Sequence, residues 1–271
     1  MDYETFCSGL KVLNKAGQLV PFVPLPAQQW RRETRTPRDI VLKARQGGVS
    51  TEEMARSAWV FATVPGATVV MVVPPGVPDD KAGSAASAAR AFALFFESAV
   101  AAGLSHTPNR TSTLSWERPA GSRLGIIEAS RMPKVRHLKG RPIHRIHAQE
   151  AAFWEHWAAF DELAPQVPHS GEIIIESTAN GRDPRFWPMW MTAAGNPSGS
   201  GYRAHFAAWY RCTGLSLVHP KNEREKAMLA QGVSAEQLAW YREKVALHGQ
   251  AMVDQEYPTD PMDCFGATTL T

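Results

Sequence analysis

The sequence has few cysteines, and their spacing excludes two kinds of scaffold. Cys7, Cys212 and Cys264 are the three cysteines of this 271-residue chain, and no two of them form a C-x-x-C pair. An odd number of widely separated thiols indicates neither a disulfide framework nor a zinc site. We therefore expect a protein of a reducing compartment.

Long apolar runs without charges are also lacking. The most apolar window, residues 88–104, is interrupted by Arg90 and Glu97, which favours a buried amphipathic helix over a membrane span. Residues 1–11 are acidic at their start and have no apolar core, so they are not typical of a secretory signal. These patterns predict no association with a membrane.

The chain has neither a repeat period nor a strong excess of one charge. Its nine tryptophans are scattered, which excludes propellers and solenoids. The net charge is only +3, so a polyanionic partner would have to bind a local patch. Two segments are locally basic, 31–38 and 131–145. Each is either a solvated surface or a contact for a phosphate backbone.

Strand patterns and helix patterns alternate along the chain. The predicted strands cover 39–44, 67–75, 113–117, 123–129, 142–149, 171–178 and 202–210, and the predicted helices cover 50–64, 81–103, 151–164 and 234–249. We expect the segments 113–117 and 123–129 to form a β-hairpin. The alternation predicts an α/β fold with a mainly parallel sheet flanked by helices. A change of pattern predicts a core over residues 1–212 and a small C-terminal subdomain over 213–271.

The stretch KARQGGVST, residues 43–51, resembles a phosphate-binding loop with an altered lysine position. In the frame G-x-x-x-x-G-K-[ST], Gly48 takes the second glycine position and Ser50 takes the hydroxyl position. Val49 occupies the lysine position, and Lys43 occupies the first position. A predicted strand precedes this stretch and a predicted helix follows it, which is the context that a phosphate-binding loop requires.

Polar residues follow two further predicted strands. Gln149 and Glu150 end one strand, and Ser177, Thr178 and Asn180 end the next. Ligands of open α/β sheets bind at the carboxyl edge of the strands, so we expect these residues to converge with the loop. Glu150 would orient an attacking water, whereas the amide of Gln149 could only hydrogen-bond a metal-bound water. A structural role for each residue alone is the alternative.

Taken in order, these motifs resemble those of the ATPase domain of the bacteriophage terminase large subunit, a motor that packages viral double-stranded DNA. The resembling segments are KARQGGVST, KGRPIHRIHAQEAAFW and IIIESTANG, followed by AHFAAW, EQLAWYREK and DQEYPTDPMDCF, and they extend from about residue 25 to 266. The resemblance implies a P-loop NTPase fold of the ASCE, RecA-like class. Some terminases carry the phosphate-loop lysine at the first position, which Lys43 matches.

The resemblance also implies roles for individual residues. Glu150 and Arg45 are expected to be catalytic, and Ser50 and Gln149 to hold Mg²⁺, the latter through water. A coupling segment is expected at Ser177, Thr178 and Asn180. The expected ATP-binding residues are Gln28, Lys43, Arg45, Gln46, Gly47, Gly48, Val49, Ser50 and Thr51, with Gln29 as the reserve choice for reading adenine.

Two departures from the family pattern bear on these expectations. Gln149 stands where the family usually has an aspartate, which weakens the predicted magnesium site. Terminases usually continue into a metal-dependent nuclease, whereas this sequence ends shortly after CFGATT. We therefore expect no nuclease activity from this chain.

The expected function is ATP hydrolysis that moves double-stranded DNA into a procapsid. The resemblance implies ATP and Mg²⁺ as cofactors, and the portal protein and the small terminase subunit as partners. It also implies a homo-oligomeric ring on the portal, in the host cytoplasm. One alternative is a nucleotide-binding scaffold that does not hydrolyse, because Val49 and Gln149 both depart from the pattern. Another is a helicase-like translocase, for whose second motor domain 271 residues leave no room.

Overall fold

A computed structural model describes residues 1–14, 16–76, 84–104, 108–129, 142–211 and 220–265. The strands are β1 (Lys11–Leu13), β2 (Leu19–Pro21), β3 (Arg38–Lys43), β4 (Thr68–Val73), β5 (Asn109–Ser112), β6 (Ser115–Glu117), β7 (Arg123–Glu128), β8 (Arg145–Gln149), β9 (Glu172–Ser177) and β10 (Arg203–Ala207).

The helices are α1 (Tyr3–Ser8), α2 (Pro26–Thr34), α3 (Val49–Thr63), α4 (Ser84–Ala101), α5 (Ala158–Leu163), α6 (Phe186–Gly195), α7 (Pro197–Ser200), α8 (Glu223–Ala230), α9 (Ala235–His248), α10 (Gln250–Glu256) and α11 (Pro261–Phe265). Short 3₁₀ turns lie at Ala151–Phe153, Ala164–Gln166 and Trp209–Arg211.

Eight strands form one mainly parallel sheet in the order β10-β3-β9-β8-β4-β7-β6-β5, and β1 and β2 form a separate hairpin. Strand β4 is parallel to both β7 and β8, and β8 is parallel to β9, whereas β5, β6 and β7 pair antiparallel at one edge. Every residue of β4 is buried, as is usual for a strand in a parallel sheet covered on both faces. The predicted α/β fold and the predicted hairpin are confirmed.

The chain divides into two compact units. The first consists of Met1–Pro24, Thr36–Asp39 and Ser50–Glu176, and the second consists of Leu25–Arg35, Ile40–Val49 and the described residues of Ser177–Thr271. We call them unit 1 and unit 2. The predicted division into 1–212 and 213–271 stays a prediction.

Unit 1 has an aromatic core beneath α4. The rings of Phe92 and Phe96 on α4 pack against Trp116 of β6 with centroids 6.0 and 5.9 Å away, and Phe61 of α3 lies 5.1 Å from Phe96. Each side chain is at most 3% exposed, and burial of one such side chain stabilises the fold by about 1.5–3 kcal/mol. The predicted buried helix is confirmed over its described part. Within the described residues, no helix is both long enough and apolar enough to span a membrane.

Unit 2 has a second aromatic core around Trp209. Its indole stacks on Trp240 and Tyr241 of α9, with centroids 5.2 and 5.6 Å apart. Helix α9 begins with a capping box, in which Ser234 accepts from the backbone of Gln237 and the Gln237 side chain accepts from the backbone of Ser234. The helix predicted over 234–249 is confirmed.

The helix predicted over 151–164 is wrong as a single element. A 3₁₀ turn ends at Phe153, Trp154 is extended, and α5 covers only Ala158–Leu163. The Trp154 indole donates to the carbonyl oxygen of Gln149 at 3.0 Å and packs 4.8 Å from the ring of Trp157. Burial of both indoles overrides the helical pattern, because the bond to Gln149 folds this segment back onto the end of β8.

Candidate nucleotide-binding site

A short loop joins β3 to α3 at the predicted phosphate-binding stretch. Gly48 has φ 75° and Gln46 has φ 61°, so both lie in the left-handed region. A Cβ atom on Gly48 would lie 2.6 Å from the side-chain nitrogen of Gln28, so any other residue here would be strained and would have to displace Gln28. The loop ends at the N-terminus of the 15-residue α3, where backbone N–H groups without intrahelical partners favour an anion.

Gln28 holds this loop in unit 2. Its side-chain oxygen accepts from the backbone of Leu25 at 2.8 Å, and its nitrogen donates to the carbonyl of Gly48 at 2.9 Å. The side chain is 3% exposed. Both ends of the Gln28 amide therefore contact backbone, whereas Gln29 is exposed and donates to Glu33. Reading of adenine by Gln28 stays a prediction.

The two basic residues of the loop differ in exposure. Lys43 ends β3 and is 6% exposed. The Arg45 side chain is 57% exposed, and its Nε lies 2.5 Å from a carboxylate oxygen of Glu256 on α10. The Arg45 backbone also donates to the Glu256 carbonyl at 2.8 Å. Burial raises the pKa of the adjacent Tyr257 phenol. We call Gln28, Arg45, Gly48 and Glu256 the loop cluster.

The predicted hydroxyl residue belongs to a buried group in unit 1. Ser50 donates from its hydroxyl to Glu176 at 3.0 Å, and His147 Nε2 lies 2.9 Å from the other oxygen of Glu176. Glu176 and His147 are both fully buried. We call Ser50, His147 and Glu176 the hydroxyl cluster. Glu176 was not among the residues predicted from the sequence. Its position at the end of an apolar strand is a signal, since a buried carboxylate requires partners.

The predicted catalytic glutamate follows β8 in a strained conformation. Glu150 has φ 49° and ψ 46°, and it is half-buried. Among the described residues, Gln46 and Glu150 are the non-glycine residues with positive φ. Such strain costs about 1–3 kcal/mol and is concentrated at functional sites. Of these two strained residues, Gln46 was predicted to bind ATP and Glu150 to be catalytic.

The predicted coupling segment leaves the end of β9. Ser177 and Thr178 are buried, and Asn180 is half-buried. Asp183 then accepts from the backbone N–H groups of Arg185, Phe186 and Trp187 at 2.7–3.0 Å and so fixes the start of α6. Burial raises the pKa of Asp183, although these hydrogen bonds act in the opposite direction. The coupling segment therefore lies between the end of β9 and the start of α6, which Asp183 fixes by hydrogen bonds.

Three described arginines of the two basic segments are buried or hydrogen-bonded within the fold. Arg31 is fully buried on α2, and Arg38 donates to the carbonyl oxygens of Val167 and Pro168. Arg145 is fully buried and pairs with Glu53 and Glu172. Because Arg31 and Arg145 are fully buried, neither can contact a phosphate backbone, and that expectation is wrong for these two residues. Residues 131–141 lie outside the described residues.

The chemistry of these residues fits a magnesium ion bound together with ATP. Mg²⁺ prefers oxygen ligands and usually takes one or two protein oxygens, several waters and the substrate phosphates. The Ser50 hydroxyl and the Glu176 carboxylate provide such oxygens. In the described part of the chain no three His, Cys, Asp or Glu side chains form a metal-binding group, and a phosphate-bound magnesium does not need one.

The fold and the loop can be compared with those of known proteins. A mainly parallel sheet with a glycine-containing loop between a strand and a helix N-terminus is a feature of P-loop NTPases. The chain matches the large terminase ATPase domain of Thermus phage P74-26 at 15% identity, covering 88% of this chain and 94% of that one, with a TM-score of 0.56. A point mutant of that domain matches at 14% identity, the same coverage and a TM-score of 0.58. The large terminase of bacteriophage HK97 matches at 13% identity and a TM-score of 0.57, covering 95% of this chain and 55% of that one.

No protein-family model and no curated protein sequence matches the chain. These three structures are only 13–15% identical to this chain in sequence, so the similarity shows the fold alone. This chain has the fold of the ATPase domain of phage large terminases, as the sequence motifs predicted.

Proposed function

We propose that this chain is the ATPase domain of a viral DNA-packaging motor, which hydrolyses ATP to move double-stranded DNA into a procapsid. The observation that carries the proposal is the strained loop before α3, whose hydroxyl residue Ser50 is held by a buried carboxylate. This arrangement occurs in a fold shared with terminase ATPase domains.

In this proposal the loop and the N-terminus of α3 bind the phosphates of ATP. Residues Gln46, Gly47, Gly48, Val49, Ser50 and Thr51 surround the phosphates, and Gln28 lies on the adenine side. Lys43 replaces the usual lysine, since Val49 is 1% exposed and apolar. Magnesium, when bound with ATP, neutralises charge on the β- and γ-phosphates. Arg45 exchanges Glu256 for the transferring phosphate.

Glu150 is the proposed catalytic carboxylate. It orients a water toward the γ-phosphate and accepts its proton, which is general-base catalysis. The left-handed backbone at Glu150 holds the side chain at the turn after β8. The coupling segment consists of Ser177, Thr178 and Asn180. It links the loss of the γ-phosphate on hydrolysis to movement of the DNA. The ring, the portal, the small terminase subunit, the DNA and the host cytoplasm are further parts of the proposal.

Magnesium-dependent ATP hydrolysis at high protein concentration tests the enzymatic part. We expect Glu150→Ala to lower kcat by about 10²–10⁴, the usual contribution of a general base, and to leave ATP binding intact. Lys43→Ala should lower the rate of hydrolysis and also weaken ATP binding. Glu155→Ala is the matched control for the first variant, because Glu155 is 84% exposed in the same segment, and Lys226→Ala is the control for the second. Hydrolysis at the unmodified rate in Glu150→Ala would contradict the assignment.

A nucleotide-binding scaffold without hydrolysis is the second candidate. Two observations favour it, the burial of Val49 in the lysine position and the uncharged Gln149 at the end of β8. It predicts ATP binding without release of phosphate by the unmodified chain at any protein concentration. The same hydrolysis assay therefore separates the two candidates.

A further inference from the structure

We infer that Glu176, on β9, supplies the negative charge of the magnesium site that an aspartate at position 149 would otherwise supply. The inference rests on the proposed function and assigns a further residue to its site. Phosphate-loop enzymes hold magnesium with the loop hydroxyl and a carboxylate at the end of a neighbouring strand. Here the hydroxyl is present as Ser50, but the end of β8 carries the uncharged Gln149.

The register of the sheet places Glu176 beside this position. Strands β8 and β9 are parallel, and Gln149 is the register partner of Glu176. Register partners of parallel strands lie side by side, with about 4.8 Å between strands. The carboxylate is therefore displaced from the usual position by one strand and remains at the same level along the strands.

The hydrogen bond from Ser50 connects this carboxylate with the metal-binding hydroxyl. A serine hydroxyl has one proton to donate and two lone pairs to offer. Ser50 donates its proton to Glu176 at 3.0 Å, so its lone pairs point away from the carboxylate. This is the orientation in which the Ser50 oxygen can bind a cation. Glu176 thus orients the ligand and contributes charge next to it.

His147 fixes the carboxylate from the other side. Its Nε2 lies 2.9 Å from the second oxygen of Glu176, and both side chains are fully buried. His147 is two residues before Gln149 on β8, so the two side chains lie on the same face of the sheet. Glu176 therefore has a fixed position in unit 1. A purely structural Glu176 would make these same contacts, so the test must separate charge from hydrogen bonding.

The substitution Glu176→Gln makes that separation. Glutamine has the same size, can accept from Ser50 and can donate to His147, but it carries no charge. We would measure Mn²⁺ binding to the full chain by electron paramagnetic resonance, in the presence of a non-hydrolysable ATP analogue. Affinity for the same analogue in excess EDTA would be measured in parallel. We expect Glu176→Gln to weaken Mn²⁺ binding by about 10-fold or more and to leave the affinity in EDTA unchanged.

Three further variants complete the test. Glu176→Gln combined with Gln149→Asp should restore most of the Mn²⁺ affinity, because the charge returns at the usual position. Gln149→Ala alone should weaken Mn²⁺ binding by less than about 10-fold, because its amide carries no charge. This comparison tests the inference even where circular dichroism shows that Glu176→Gln does not fold. Glu155→Gln is the control for the acid-to-amide change at an exposed residue.

Distinct outcomes overturn the inference and the proposed function. Unchanged Mn²⁺ affinity in folded Glu176→Gln overturns the inference alone, provided that the unmodified chain binds the analogue. A loss of about 10-fold or more in Mn²⁺ affinity in Gln149→Ala also overturns it, since the amide would then be the main protein ligand of the metal. If the unmodified chain does not bind the analogue with or without metal, the proposed function fails and the inference fails with it.

Discussion

The hydroxyl cluster and the loop cluster each contain a buried glutamate that holds a residue of the phosphate-binding stretch, but the two residues that they hold differ in exposure. In the hydroxyl cluster, Glu176 is fully buried and holds Ser50 at 3.0 Å. In the loop cluster, the Arg45 side chain held by Glu256 is 57% exposed. A buried carboxylate cannot exchange its partners for water without a large cost, and this applies to Glu256 as well, which is 3% exposed. The Arg45 guanidinium, in contrast, is hydrated on its exposed side.

This difference separates a fixed part of the predicted site from an exchangeable one. The hydroxyl cluster is in place before any ligand binds, which lowers the entropic cost of assembling a metal site. The arginine can leave Glu256 for a competing phosphate, but the buried carboxylate that stays behind adds to the cost of the exchange. Substitutions in the two clusters should therefore affect stability and ligand binding to different extents.

Removal of the buried carboxylate should have the largest effect on stability. Glu176→Ala leaves both Ser50 and His147 without their partner, and each polar group left unsatisfied costs about 1–3 kcal/mol. The free energy of unfolding from urea titration measures this loss. Glu155→Ala, at an exposed glutamate, should leave the free energy of unfolding nearly unchanged. Equal stability of the two variants would show that the hydroxyl cluster is not fixed.

A methyl group on the loop glycine should have the next largest effect. Gly48→Ala adds a Cβ atom 2.6 Å from Gln28, in addition to the strain of φ 75°. Gly17→Ala is the matched control, because Gly17 has the same φ but nothing within 4 Å of its added Cβ. We expect Gly48→Ala to lose about 1 kcal/mol more than Gly17→Ala, since overpacking adds to the strain.

Equal losses in the two glycine variants would mean that Gln28 moves away freely. That result would argue against Gln28 as a rigid support of the loop. Affinity for an ATP analogue, measured on both variants, should fall only in Gly48→Ala.

Removal of the exposed arginine should have the smallest effect on stability and a large effect on turnover. Arg45→Ala should lower the free energy of unfolding by about 1 kcal/mol, because the lost guanidinium is 57% exposed but its partner Glu256 is only 4% exposed. An arginine on the transferring phosphate contributes about 10³–10⁵ in rate, so ATP hydrolysis should nearly cease. Arg224→Ala, at another half-exposed arginine paired with an acid, is the control for turnover. Full hydrolysis by Arg45→Ala would remove this residue from the catalytic proposal.

The sequence predicted most of the sheet, because apolar β-branched segments bounded by glycine and proline have a strong local signal. Strands β3, β4 and β9 lie where they were expected, and the capping box of α9 was read directly from Ser234 and Gln237. The segment 151–164 was mispredicted because its course depends on a bond from Trp154 to Gln149 and on burial of two indoles. The spacing of apolar residues in this segment indicates a helix, but it does not reveal these tertiary contacts.

Charged residues were the harder part of the prediction. Arg31 and Arg145 read as surface charges, but tertiary packing buries both of them. Glu176 was overlooked because its importance depends on which strand lies next to β8, and the strand order is a property of the whole fold. The phosphate-binding stretch was found because its residues are contiguous in the sequence.

The most direct test of the account is a single-turnover measurement of phosphate release from ATP with magnesium, at protein concentrations above that of ATP. The account predicts release by the unmodified chain and almost none by Glu150→Gln, with both binding ATP equally well. ATP binding by the unmodified chain without release of phosphate, or equal release by the two proteins, would contradict it.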